Sequence, residues 1–273
     1  MANFLLIHGG WHGAWMWDSV VQELEIAKSS LGVEEIIAVD LPGHGRRVAD
    51  DIRRITLDYY IETVVTPIQL KRLSEVTIVA HSFAAAFMPE VAIRLGSALE
   101  RIVFVGGMIP PKGTRAFDTL PFLTKTLARM FKPQEKGINL PGFMMKRSMC
   151  NGMRDPEAQD LIPRLVAEPY LPWAMPLPSP DYPDEICLSY VVLTKDGILD
   201  PKMQRVYAGT LKNASIIEIQ AGHEAPLTHA AEIAEVLLAH TKQRKEEFVS
   251  EGAQMDQNTS AVSEEKEIEA TDE

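Results

Sequence analysis

The sequence predicts an α/β domain: a mostly parallel six-stranded sheet flanked by helices, with a helical cap inserted after the fourth strand. Three observations predict it. Short continuous apolar runs alternate with segments whose apolar residues recur at helical spacing. The alternation lapses between Pro110 and about Pro183, a stretch rich in proline and methionine, and then resumes. The loops that follow the apolar runs hold the glycines, histidines, serine and aspartate with chemical potential, which puts them together at the C-terminal edge of a parallel sheet.

In chain order, residues 4–7 (FLLI) read as a buried strand ending in the turn HGGWHG. Residues 18–28 carry Val20, Val21, Leu24 and Ala27 on one helical face, with Gly32 as the stop. Residues 35–41 (EIIAVDL) form the second strand, closed by Pro42-Gly43-His44-Gly45. A helix is expected over 57–73, kinked or restarted at Pro67. The third strand begins at Val76 and stops at Ala80-His81-Ser82-Phe83-Ala84, where a helix over 83–95 begins. Residues 101–105 are the fourth strand, and helical patterns at 120–131 and 156–166 populate the insertion. Strands at 188–194 and 215–219, with helices at 201–211 and 229–242, complete six steps. The expected organisation is a core in two parts, 1–109 and 186–244, a helical cap at 110–185, and an acidic tail at 245–273 expected to be disordered.

The net charge of −11 describes that tail more than the domain, because residues 246–273 hold ten acidic side chains against Lys266 alone. No basic stripe suggests nucleic acid. Cys150 and Cys187 are far apart and read as reduced, half-buried residues. The N-terminal MANFLLIHGG lacks a basic leader, its apolar run is too short for a membrane span, and no longer apolar run follows. A cytoplasmic location is the expectation. No oligomeric state follows from the sequence, and a homodimer is compatible with it.

The segment VTIVAHSFAAA has the strand–turn–helix context that projects a serine from the top of a sheet. The usual flanking glycines are alanines here, small enough to let strand and helix backbones pass closely. A serine needs a base within hydrogen-bond reach and a carboxylate to orient that base. Asp196 follows one later strand and His223 the next, both at the same edge as Ser82. Asp200, preceding Pro201, suits a helix N-cap better. The amides of Phe83 and Gly10 are the expected oxyanion donors. His8, His12, His44 and His81 are read as structural, and no histidine spacing supports a metal site.

LLIHGGWHGAWMW, AVDLPGHG, VAHSF, VVLTKDGIL and AGHEAPLTHAAEIAEVL, in that order, resemble the α/β-hydrolase superfamily. Within it they are similar to the small-esterase branch of plant methylesterases, hydroxynitrile lyases and bacterial esterases. The resemblance covers about residues 3–242 and is weak across the cap. It implies the α/β-hydrolase fold, Ser82 as nucleophile, His223 as base, Asp196 as orienting acid, Gly10 and Phe83 as oxyanion donors, and no cofactor. Two positions depart from the lyases, which have a threonine at the place of Gly9 and a lysine at that of Glu224. A glutamate there would repel a cyanide leaving group, so cyanohydrin cleavage is not expected.

Trp11, Met108, Phe122 and Trp173 are the candidate substrate-lining residues. A lining rich in methionine and aromatics suits a small or medium apolar ester or lactone. The expected partner is therefore a small ester-like molecule. Lyase, C–C hydrolase or proton-transfer chemistry on the same residues is the first alternative. A ligand-binding protein on a hydrolase scaffold is the second, supported by Ala80 and Ala84.

Overall fold

The computed structural model describes residues 2–119, 125–126, 133–139, 141–178, 181–239 and 241–242. Phe122, most of the 120–131 pattern and the 245–273 tail lie outside the described residues.

Six strands form one sheet, β1 (Ala2–Ile7), β2 (Val33–Val39), β3 (Val76–His81), β4 (Leu99–Val105), β5 (Cys187–Leu193) and β6 (Ser215–Ile219), in the order β2-β1-β3-β4-β5-β6. Every pairing is parallel. Register places Ile7 beside Ala80 and His81 beside Val105, so the ends of β1, β3 and β4 are level and their following loops meet. Parallel sheets need cover on both faces. The alternation along β1 shows it: Phe4 and Leu6 join one apolar cluster with α1 (Asp18–Leu31) and Ile233, Leu237 and Leu238 of the C-terminal helix at residues 230–239. Leu5 and Ile7 join the other, with α2 (Leu57–Lys71), α3 (Met88–Leu95) and part of the insertion. Each fully buried leucine or isoleucine here stabilises the fold by about 2 kcal/mol through removal from water.

Several expectations shift in detail. The sheet is wholly parallel rather than mostly so. The second helix runs through Pro67 without a break, since Pro67 lies on its half-buried flank, where water can reach the carbonyl that proline leaves unpaired. The helix after β3 opens as a 3-10 turn, Ser82–Phe87, and becomes α-helical only at Met88, with Pro89 in its first turn. Cys150 and Cys187 are free thiols, but neither is half-buried: the first is buried and the second exposed. Between β4 and β5 the described chain forms short helices, Ala116–Thr119, Pro133–Lys136, Gly142–Met149, Asp155–Leu161 and Tyr170–Ala174. Two isolated antiparallel bridges, Arg115 with Pro176 and Ile138 with Glu168, pin this segment. No helix among the described residues is long and apolar enough to cross a membrane.

Candidate active site

The elbow at the end of β3 sets Ser82 at φ +52, a conformation that non-glycine residues rarely adopt. Neighbouring backbone holds it there. The Ser82 carbonyl accepts the Met108 N–H at 2.9 Å, tying the turn to the loop after β4. Ala80 and Ala84 are fully buried, and their methyl groups fit the space that glycines leave in the usual motif. Gly9 presses on the other side: a Cβ there would stand 2.8 Å from both Ser82 Cβ and His81 Nδ1. Neither neighbour is the free end of a flexible chain, so Gly9→Ala is expected to displace Ser82 and lower kcat by about 100-fold. A crystal structure and kinetics of that variant check it.

Ser82 Oγ lies 3.0 Å from His223 Nε2, and His223 Nδ1 lies 2.7 Å from Asp196 Oδ2. The carboxylate can only accept, so Nδ1 carries the proton and Nε2 presents its lone pair to the serine hydroxyl. Asp196 is itself fixed: Oδ1 accepts the N–H groups of Ile198 and Leu199 at 2.8 and 3.0 Å, and Oδ2 accepts Gln204 Nε2 at 2.9 Å. Asp200 caps the helix Pro201–Thr210 by accepting the Lys202 N–H, as its place before proline predicts. Burial lowers the His223 pKa, but the charge and hydrogen bond of Asp196, with the charge of Glu224, outweigh it and leave the imidazole raised. His81 donates from Nε2 to the His223 carbonyl at 3.0 Å, and burial, then His223, pushes its pKa down to about 3.

The turn after β1 is held by its own histidines. Leu41 N–H donates to His8 Nε2 at 3.0 Å, so the His8 proton sits on Nδ1 and is donated to the Gly9 carbonyl at 2.7 Å. Burial, then His44, keeps His8 neutral by lowering its pKa. With the Gly9 carbonyl fixed in a trans peptide, the Gly10 N–H points the opposite way. The amides of Gly10 and Phe83 have no partner among the described turn and loop hydrogen bonds. His12 Nδ1 donates to the Gly10 carbonyl at 2.7 Å, and its Nε2 stands 3.0 Å from Glu224 Oε2.

The structure brings Trp11, Met108 and Trp173 to this edge, each less than a tenth exposed. The Trp173 ring stacks on Phe83 at 4.4 Å between centroids and lies 5.4 Å from Trp11. Glu224 corrects an expectation. It does not stand as a bare charge facing a leaving group; it is buried and paired with His12, which, against the cost of burial, holds its carboxyl at about 2. Sequence reasoning missed Gln204, an ordinary helix residue in pattern, and Glu168. The signal for Glu168 was available: it is the one charge in LVAEPYLPW, residues 165–173. Among the described residues no cluster of three or more histidine, cysteine or acidic side chains is arranged to hold a metal.

A parallel α/β sheet with a serine, a histidine and an aspartate hydrogen-bonded in series at its C-terminal edge defines a hydrolase-type site. The chain belongs to the alpha/beta hydrolase family, which it matches over residues 4–236. Among curated proteins, a carbendazim-hydrolysing esterase of Nocardioides sp. is 28% identical over 121 residues, 44% of this chain and 48% of that protein, so the match spans about half of that relative's length. Methylesterase 18 of Arabidopsis thaliana is 23% identical over 223 residues, covering 75% of this chain and 83% of that protein. Among solved structures, an extracellular α/β-hydrolase from a Paenibacillus species is similar with a TM-score of 0.76 at 24% identity, covering 88% of this chain and 98% of the other. That protein is described as sharing structural and functional homology with tobacco salicylic acid binding protein 2.

Proposed function

We propose that the protein is a serine esterase that cleaves a small or medium apolar carboxylic ester or lactone through an acyl-enzyme. The observation that carries this reading is the unbroken hydrogen-bond series Ser82–His223–Asp196 on a strained elbow. Ser82 Oγ attacks the carbonyl carbon while His223 Nε2 takes its proton, and Asp196 holds the imidazole and stabilises the imidazolium that forms. The Gly10 and Phe83 amides receive the negative oxygen of the tetrahedral intermediate. His223 returns the proton to the leaving alkoxide. A water then attacks the acyl-enzyme, giving up its proton to His223, and the carboxylic acid leaves as Ser82 regains its hydrogen. None of these steps requires a cofactor.

Residues 110–185 serve as the cap in this reading, with Trp173, Trp11 and Met108 offering an apolar, adaptable lining. The esterase names of the curated relatives support the substrate class. Turnover of an ester panel in ¹⁸O-labelled water tests the reaction type. Hydrolysis places one solvent oxygen in the acid product, whereas products without solvent oxygen would mark a lyase instead.

The base must be neutral to act, so kcat/KM falls as pH drops through the His223 pKa, which stands above the usual histidine value. Glu224 contributes to that rise. Glu224→Gln removes the charge and is expected to move the acid limb of the pH–rate profile to lower pH; a limb that stays in place or moves up contradicts this assignment.

A further inference from the structure

We propose that Glu168, in the insertion, is a positioning residue that clamps the oxyanion turn, so that the turn depends on the seating of the insertion. The inference rests on the esterase reading for its kinetic consequence, but its structural content stands apart from that reading.

Trp11 follows the oxyanion donor Gly10 and sits at φ +66, a strained conformation for a bulky side chain. Every hydrogen-bonding group it owns is taken by the insertion. Its backbone N–H donates to Glu168 Oε2 at 2.7 Å, its indole Nε1–H donates to the Ile138 carbonyl at 2.9 Å, and its carbonyl accepts the Val166 N–H at 3.0 Å. Ile138 and Glu168 are joined as an antiparallel bridge, so one small piece of the insertion grips the whole residue. The peptide between Gly10 and Trp11 is thereby held at both ends, its carbonyl by His12 and its N–H by Glu168. Fixing that plane fixes Gly10, whose own N–H is the proposed donor.

Glu168 is anchored for this task. Its side chain is fully buried, Oε1 accepts the Tyr60 hydroxyl at 3.0 Å from α2, and Oε2 meets His44 Nε2 at 2.9 Å. His44 Nδ1 faces the Pro42 carbonyl at 3.0 Å, so both ring nitrogens face acceptors and both carry protons opposite an ionised Glu168. That pairing matters because Oε2 lies 3.2 Å from where a Gly10 Cβ would stand. An unpaired carboxylate at that distance would oppose the developing oxyanion, and His44 neutralises it.

The test compares wild type, Ser82→Ala, Glu168→Ala and Glu168→Gln by ester kinetics and by hydrogen exchange of the Trp11 amide. Glu168→Ala is expected to exchange the Trp11 amide at least about tenfold faster and to lose about 100-fold in kcat with KM within about threefold. A glutamine can accept from Trp11 with its oxygen and meet the Tyr60 hydroxyl with its amide, so Glu168→Gln should keep the protection and recover most of the rate. Unchanged Trp11 exchange in Glu168→Ala, or a loss confined to KM, overturns the proposal. Should Glu168→Ala fail to fold, a folded Glu168→Gln with a protected Trp11 amide but alanine-like kcat overturns it too. Wild type lacking Ser82-dependent turnover would instead overturn the esterase reading, and the exchange result alone then decides the clamp.

Discussion

Asp196→Asn is expected to lower kcat by about 10⁴-fold while leaving KM nearly unchanged. The geometry makes the direction of the effect specific. Oδ1 of Asp196 accepts two backbone N–H groups, from Ile198 and Leu199. An asparagine must therefore place its carbonyl oxygen there, since its NH₂ would meet two donors. The NH₂ is left facing His223 Nδ1, which can then only accept. His223 must carry its proton on Nε2, pointing at Ser82, and in that tautomer it has no lone pair to take the serine proton. Steady-state kinetics with a chromogenic ester measure the loss. Proton chemical shifts of the His223 ring would show the tautomer change, and activity within tenfold of wild type would contradict the assigned role of Asp196.

Ser82→Ala is expected to lower kcat by about 10⁶-fold, leaving only the rate that binding and oxyanion stabilisation supply without a nucleophile. The substitution removes one buried hydroxyl from a turn whose strain is already held by Gly9, Met108 and the strand register. Its fold should persist, and a circular dichroism spectrum matching wild type separates lost chemistry from lost structure. Relief of a positive φ is not offered by alanine, so no gain in stability is expected from that source.

Much of this site is legible in the sequence because strand and loop chemistry are local. Apolar runs gave the six strands, and the residues after β3, β5 and β6 follow from topology alone, since parallel strands deliver their next loops to one edge. Asp200 as a cap was equally local: a short acid before proline. What the sequence hid depends on contacts across the fold. Glu168 reaches Trp11 over 157 positions and Tyr60 over 108. No periodicity announces such a pair. Glu224 was misjudged for the same reason, because its place beside His223 in sequence says nothing about which way the carboxylate turns, and the buried His12 decides it. The 3-10 opening of the elbow helix was invisible to propensity, because the alanines and phenylalanines of SFAAAF suit an α-helix and it is the strained Ser82 that sets the turn.

The most direct measurement of the central claim is intact-mass labelling with a fluorophosphonate, run on wild type, Ser82→Ala and His223→Ala. The reagent reports whether Ser82 is an activated nucleophile and needs no knowledge of the natural substrate. One adduct on wild type, mapped to Ser82 and absent from both variants, is the predicted result. Folded wild type that takes no adduct, or an adduct that persists in Ser82→Ala, would contradict the account.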